Sequence, residues 1–412
     1  MQDIYQKIQD AVKKHEKDII EFARALIMTP STSGDEKNLA DLCLRKMQEL
    51  GYDEVFRDHI GNVVGIIKGS GGGPTVMYNS HMDHVDPGAR ENWEFEPYGA
   101  EVKDGYIHGR AASDVKGGMA SQIYALAILK EIGAPLGGNL IYTGVVQEEP
   151  AEMFGMKYLC DVTFKSRGIN FDVMISSEAT SMNLYLGHRG RVEIEVVTKG
   201  RTSHGSAPWR GVNAVYKMVP VIQEVQALYD TLPEHEFLGK STIALTIISC
   251  SPGRLSIIPD QCSISLDRRL VPGETDVGAV QEIQKVLDKL AAKDPDFKAE
   301  VRIREVTEMS YTGISSTVKK SMPPWVVDKD HPFVKTCVDA LAKVGQKPGF
   351  GKWDFATDAS YVTGVLGIPS IGYSPMEEQY AHTPYDRVRI DYLIKSVAGN
   401  AAIGYDLSNK KS

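Results

Sequence analysis

Short apolar runs alternating with helix-like stretches restrict the fold of this chain more than any other feature. Asn62–Lys68, Thr75–Tyr78, Asn139–Val146 and Phe171–Ile175 read as strands, and 116–132 and 152–160 read as helices between them. Strand and helix in alternation predict an α/β fold with a largely parallel sheet. Upstream, Ile4, Ile8, Val12, Ile19, Phe22 and Leu26 fall at helical spacing and predict a helix over 4–28. Another is predicted over 35–50, with Gly51 as its stop. The glycine run 69–73 lacks the lysine and the following helix of a phosphate loop, so it reads as a turn between strands.

The pattern changes near residue 187. A half-exposed strand at Val192–Val197 precedes a helix at about 212–230, strands Thr242–Ser249 and Gln261–Asp267, a helix at about 276–292 and a strand at Lys298–Arg304. The order β-α-β-β-α-β is that of a ferredoxin-like unit. An irregular stretch with Pro323-Pro324 follows, then helices over 331–344 and 390–406. One large domain, 1–186 and 306–412, interrupted by a small one at 187–305, is the expected organisation.

Chemistry gathers where the apolar runs end. His81-Met82-Asp83, Glu148-Glu149 and Glu178 follow strands, and Asp114 lies in a loop ahead of a helix. These sites recur at roughly thirty-residue spacing, about the length of a βα repeat. In open α/β sheets, ligands bind outside the carboxyl ends of strands, so residues distant in sequence converge there. His382, in Ala381-His382-Thr383-Pro384, is a further candidate from far along the chain. Each residue has an ordinary explanation when taken singly: a strand-end charge, a helix cap for Asp114, a solvated Glu-Glu pair, a hydrogen-bonded loop histidine. Their repeated placement at strand ends is what argues for a site. Two histidines and several carboxylates without thiolates suit a borderline divalent metal such as zinc. They are too many for one open zinc site, and suit two metals about 3.5–4 Å apart sharing a carboxylate. That arrangement leaves a water as nucleophile and a carboxylate as general base.

Composition removes other classes. A net charge of −8 does not provide the basic stripe of a nucleic-acid surface, and no apolar run approaches a membrane span. The start of the chain has no signal-peptide core. Its 5 cysteines, Cys43, Cys160, Cys250, Cys262 and Cys337, are scattered and form no C-x-x-C. Reduced thiols in a cytoplasmic protein are expected.

Taken in order, Ser80-His81-Met82-Asp83-His84-Val85, Gly109-Arg110-Ala111-Ala112-Ser113-Asp114-Val115-Lys116-Gly117-Gly118, Gln147-Glu148-Glu149, Ser177-Glu178 and Ala381-His382-Thr383-Pro384 resemble the M20 metallopeptidase family. Its members include acetylornithine deacetylase, succinyl-diaminopimelate desuccinylase, aminoacylase-1 and glutamate carboxypeptidase. The resemblance covers nearly the whole chain and implies a zinc-peptidase-like catalytic domain with an inserted ferredoxin-like lid, through which the chain would form a homodimer. It implies that His81 and Glu178 bind one metal and Glu149 and His382 the other. Asp114 would bridge them, followed by a cis peptide to Val115. Zinc is the expected ion, with cobalt or manganese as alternatives. Glu148 would be the general base, and Asp83 would orient His81 and touch nothing else.

In the inserted unit, Gly200–Pro208 resembles the segment whose histidine, here His204, stabilises the oxyanion, reaching across from the other subunit in dimeric members. Asp267–Gly273 resembles the segment whose arginine, here Arg269, binds the substrate carboxylate. Adjacent Arg268 should face the other way. Many members carry an asparagine before Ile-Pro in this region, where this chain has Ser256 two residues before Ile258-Pro259. Substrate contacts there are therefore expected to differ. The overall look resembles a bacterial branch of selenium-metabolism-linked hydrolases, which brings no substrate with it. The expected activity is hydrolysis of an N-acyl amino acid or small peptide bearing a free carboxylate. The alternatives are an aminopeptidase-like or mononuclear hydrolase on the same scaffold, and a non-catalytic metal-stabilised binding protein.

Overall fold

The computed structural model describes residues 3–151 and 153–411. The expected helix over 152–160 therefore begins at a position outside the described residues, as do the first two residues of the chain. Its remainder is helical from Phe154.

Two helices stand where one was expected at the start. α1 (Ile4–Lys14) and α2 (Glu16–Ile27) break at His15. At the break the His15 ring bonds Glu131 across the structure at 2.6 Å, beside the Lys14–Glu131 ion pair, and contacts Asp18 of α2 at 3.4 Å. α3 (Lys37–Glu49) ends at Gly51, whose φ of +77° is the left-handed conformation expected of it. Strands β1 (Glu54–Arg57), β2 (Val63–Ile67) and β3 (Val76–His81) follow, then α4 (Gly117–Glu131), β4 (Leu140–Val145), β5 (Val173–Ser176) and β6 (Leu184–His188). Every residue of α4 from Gly117 to Leu129 is buried, as its lack of a polar face requires.

The chain then enters a second sheet: β7 (Gly190–Lys199), α5 (Ala214–Leu228), β8 (Thr242–Ser251), β9 (Gln261–Leu270), α6 (Asp276–Ala291) and β10 (Lys298–Ile303). The order β8-β9-β7-β10, antiparallel throughout, is the ferredoxin-like arrangement. This sheet has its own core, in which Val192, Ile194 and Val196 pack with Ile264, Leu266, Met218 and Ile283. Glu305–Met309 and Ser315–Lys319 form a hairpin where irregular chain was expected, and Ser321–Met322 still pairs with β7.

The chain returns through β11 (Trp325–Val326), α7 (Pro332–Lys343), β12 (Phe350–Trp353), β13 (Ser370–Gly372) and α8 (Ile390–Ser408). The large sheet runs β1-β2-β4-β3-β5-β13-β6-β11, with β12 also on β6. It is parallel at its centre, where β3 pairs with β4 and β5, and β5 with β13. Its carboxyl ends therefore open on one side, and the site lies there. No helix among the described residues is long and apolar enough to cross a membrane.

His188 marks the junction of the two sheets. It is fully buried against Trp325 and Trp353, with Nε2 accepting from the Thr357 N–H at 3.0 Å and Nδ1 on the Arg189 carbonyl at 2.9 Å. Burial lowers its pKa to about 4. As pH falls below about 6.5 the unfolded chain takes up a proton at this ring that the folded chain refuses, so stability is lost between about 6.5 and 4. Between pH 7.5 and 5 the protein should lose about 2 kcal/mol more unfolding free energy than a His188→Gln variant. Urea unfolding at both pH values measures this, and equal losses would mean that His188 is not held neutral.

Candidate active site

Five sequence segments meet at the carboxyl end of the large sheet. His81 is the last residue of β3, and its Nε2 lies 3.0 Å from Asp114 Oδ1 and 3.6 Å from Glu178 Oε1. The other oxygen of Asp114 lies 2.9 Å from His382 Nε2, which is 3.2 Å from Glu149 Oε1. Asp114 thus belongs to two triads, His81–Asp114–Glu178 and Asp114–Glu149–His382. The ligand atoms within each lie within 4.8 Å of one another. The Asp114–Val115 peptide is cis. Glu148 stands outside both triads and lines the same cavity of about 370 Å³. A larger cavity, about 890 Å³, is lined by Phe154, Tyr158, Leu270, Pro323, Pro324 and Tyr361 and holds none of the candidate ligands.

The electrostatics fit a cation at each triad. Burial pushes Glu178 up to about 8 and Glu148 well above the ordinary carboxylate range, despite the pull of His81. Burial alone would raise Asp114 too, but hydrogen bonds from His382 and His81 hold it low. Contact with Asp114 in turn lifts His382 to about 10. Carboxylates packed this way remain ionised only with compensating positive charge. Imidazole nitrogens facing carboxylate oxygens are a donor set for zinc-like ions once a cation takes the place of the ring protons.

Asp83 does more than orient His81. The His81 Nδ1 sits 2.9 Å from the Asp83 main-chain carbonyl, and the Asp83 carboxylate is farther away at 3.7 Å. That carboxylate accepts from Ser33 Oγ at 2.7 Å and from the N–H groups of Glu148 and Glu149 at 3.0 and 3.1 Å. Its main chain therefore holds one candidate ligand, while its side chain fixes the turn bearing another ligand and the candidate base. The turn is tight, since Gln147 adopts φ +58°.

Arg269 lines the same cavity from the second sheet, facing the acids. Arg268 points the other way and is buried against Glu274 and Glu282. His204 and Ser256 are not at this cavity. They are exposed and lie on two segments that meet, where His204 bridges to Ile257, Ser206 Oγ lies 2.7 Å from His204 Nδ1 and the Ser256 carbonyl accepts the Gly205 N–H at 2.7 Å.

Two buried acids escaped the strand-end pattern. Asp358 is raised by burial to about 7 and contributes to the raised Glu148 and Glu178. It follows no apolar run, and no local signal marks it. Asp386 accepts from the Ala111 N–H at 2.6 Å, the Ser113 N–H at 2.8 Å and the Ser113 hydroxyl at 2.6 Å, with Arg110 Nη1 at 3.3 Å. It pins the loop that carries Asp114, and its nearness to His382 in sequence was the available hint. At the helix that follows this loop, Gly118 allows close approach, since a Cβ there would lie 2.7 Å from that of Ser177. Asp386→Asn turns one acceptor into a donor aimed at buried N–H groups, and should cost about 2–4 kcal/mol. Urea unfolding at neutral pH reads the loss, and an unchanged midpoint would mean that the loop is held by other contacts.

Residues 77–403 match the model of peptidase family M20/M25/M40. The chain is 37% identical over 402 residues to YgeY of Escherichia coli K12, an uncharacterised protein, covering 97% of this chain and 96% of that one. It is 26% identical to N-formyl-4-amino-5-aminomethyl-2-methylpyrimidine deformylase of Bacillus subtilis, covering 96% and 95%. The solved structure of aminopeptidase PepT from Bacillus cereus superposes with a TM-score of 0.75 at 21% identity, covering 96% and 99%. The chain belongs to peptidase family M20/M25/M40, and with it to the metal-dependent hydrolases of amide and peptide bonds.

Proposed function

We propose that this chain is a dinuclear amidohydrolase that cleaves an N-acyl amino acid or small peptide with a free carboxylate. The observation that carries the reading is the sharing of Asp114 between two His-carboxylate triads, with Glu148 outside both in the same cavity. His81 and Glu178 would hold one divalent ion, Glu149 and His382 the other, and Asp114 both. Zinc suits these donors best, and cobalt or manganese could replace it. Two such ions would polarise the amide carbonyl and increase the acidity of the attacking water. Glu148 takes a proton from that water and delivers it to the leaving nitrogen. Arg269 binds the free carboxylate through its guanidinium fork.

The second sheet acts in this reading as a lid and dimerisation domain. His204 would stabilise the oxyanion in the partner subunit, which accords with its exposed position away from the cavity of its own chain. β8 is an edge strand whose Leu245, Ile247 and Ile248 are exposed, a surface suited to a second copy. Ser256, beside His204, would reach substrate from the same side.

Glu148→Gln should lower kcat by about 10²–10⁴ or more with the metal content unchanged, measured by turnover alongside elemental analysis. Loss of metal would make Glu148 a ligand instead. His204→Ala should also lower kcat. After subunit exchange, a mixture of the two variants should regain activity that neither has alone, because one mixed site then carries both groups. A mixture as inactive as its components would argue that His204 does not act across subunits. Turnover of free-amine peptides in preference to N-acyl amino acids would favour an aminopeptidase instead.

A further inference from the structure

Beyond the end of β4, consecutive main-chain N–H groups from Val146 to Glu149 are each held by a side-chain oxygen from elsewhere in the chain. Val146 donates to Asn62 Oδ1 at 2.9 Å, Gln147 to Glu36 Oε1 at 3.2 Å, and Glu148 and Glu149 to the two oxygens of Asp83. Asn62, Glu36 and Asp83 are all buried, so solvent does not compete for these bonds. Glu36 is anchored in turn at the head of α3, where its carbonyl accepts the Ala40 N–H at 2.9 Å.

Gln147 is the strained link in this series. A φ of +58° on a residue other than glycine persists only where its neighbours hold it. Two contacts do so: Glu36 takes its N–H, and its side-chain Nε2 donates to the Met309 carbonyl at 3.1 Å. Without Glu36 the N–H of Gln147 would lose its acceptor in a buried place. The turn would then relax, and the two residues that follow, the candidate base and a candidate ligand, would shift with it.

Nothing in this contact calls for a negative charge on Glu36. Its Oε2 has no hydrogen-bond partner among the described residues. Burial, and then the charge of Asp83, raise its pKa to about 7. The Gln147 N–H uses a single oxygen at the right reach, which a carboxylic acid and a primary amide supply equally.

We propose that Glu36 is a positioning residue for Glu148, acting through the one oxygen bonded to the Gln147 N–H and not through its charge. The kinetic consequence rests on the amidohydrolase reading, and the hold on the turn does not. Glu36 does not line the cavity. It also differs from Asp83, whose replacement would disturb His81 as well.

Glu36→Ala and Glu36→Gln in the metal-loaded enzyme test this with two readouts. Amide hydrogen exchange followed by mass spectrometry over 145–150 should be at least tenfold faster in Glu36→Ala, with β3 and α4 unchanged. Glu36→Gln should stay within about threefold of the unsubstituted protein. On the compound turned over fastest from a panel of N-acetyl amino acids, Glu36→Ala should lower kcat by about ten- to a hundredfold, as small misplacements of a catalytic group do. KM should hold within about threefold, and Glu36→Gln should restore kcat. Glu36→Asp keeps the acid but shortens its reach, so it should behave as Glu36→Ala does and serves in its place if that variant does not fold. Unchanged exchange in Glu36→Ala, or a Glu36→Gln variant as impaired as Glu36→Ala, overturns the proposal. Faster exchange restored by glutamine, with no compound of the panel turned over by the unsubstituted enzyme, leaves the hold on the turn standing and counts against the amidohydrolase reading alone.

Discussion

The centre of this molecule is organised around one carboxylate, that of Asp114, clasped by an imidazole on each oxygen. Burial alone would drive it towards its neutral form, and the two rings oppose that. Two other aspartates serve as brackets for this arrangement. Asp386 ties down the loop that leads to Asp114, and it belongs to the same segment as His382. Displacing that segment would disturb the shared carboxylate and one of its imidazoles together. Asp83 brackets the other half, its main chain on the His81 ring and its side chain on the N–H groups of Glu148 and Glu149. The candidate ligands and base are thus placed by buried acceptors bonded to main chain, the kind of support that holds catalytic groups to sub-ångström tolerance.

Much of this was legible because the central strands are apolar and buried on both faces. Such strands announce themselves as continuous runs, and the candidate site residues lie within a few positions of their ends. His81, Glu148, Glu149 and Glu178 were found in this way. The family resemblance implied the separate roles proposed for them and pointed to Arg269. What stayed hidden depends on contacts between distant parts of the chain. The break at His15 coincides with a contact to Glu131, more than a hundred positions along the chain. Strands β11, β12 and β13 are too short to carry a pattern of their own. The polar hairpin at Glu305–Lys319 buries only alternate residues and those only partly, so it resembles a loop. Asp386 and Asp358 act by where their oxygens point, which composition does not encode. Arg191 lies one residue before the alternation first recognised at Val192, and extending the period by a single position would have put it on the face of Glu193.

The cavity divides its charge between two sheets. The acids and imidazoles lie at the carboxyl end of the large sheet, and Arg191 and Arg269 lie on the small one, so the separation between the walls depends on how the sheets are joined. The chain leaves the large sheet at His188 and returns at Trp325, and these two residues are partners in an antiparallel pair. Both passages therefore run side by side, and the His188 ring is packed between Trp325 and Trp353 with both nitrogens bonded. Thr357, which donates to His188, directly precedes Asp358, the buried acid that contributes to the raised Glu148 and Glu178. The junction that fixes the arginine wall thus shares a hydrogen bond with the segment behind the acidic wall. A change at this buried histidine would reach both sides of the cavity through bonded neighbours, although the ring itself lines neither.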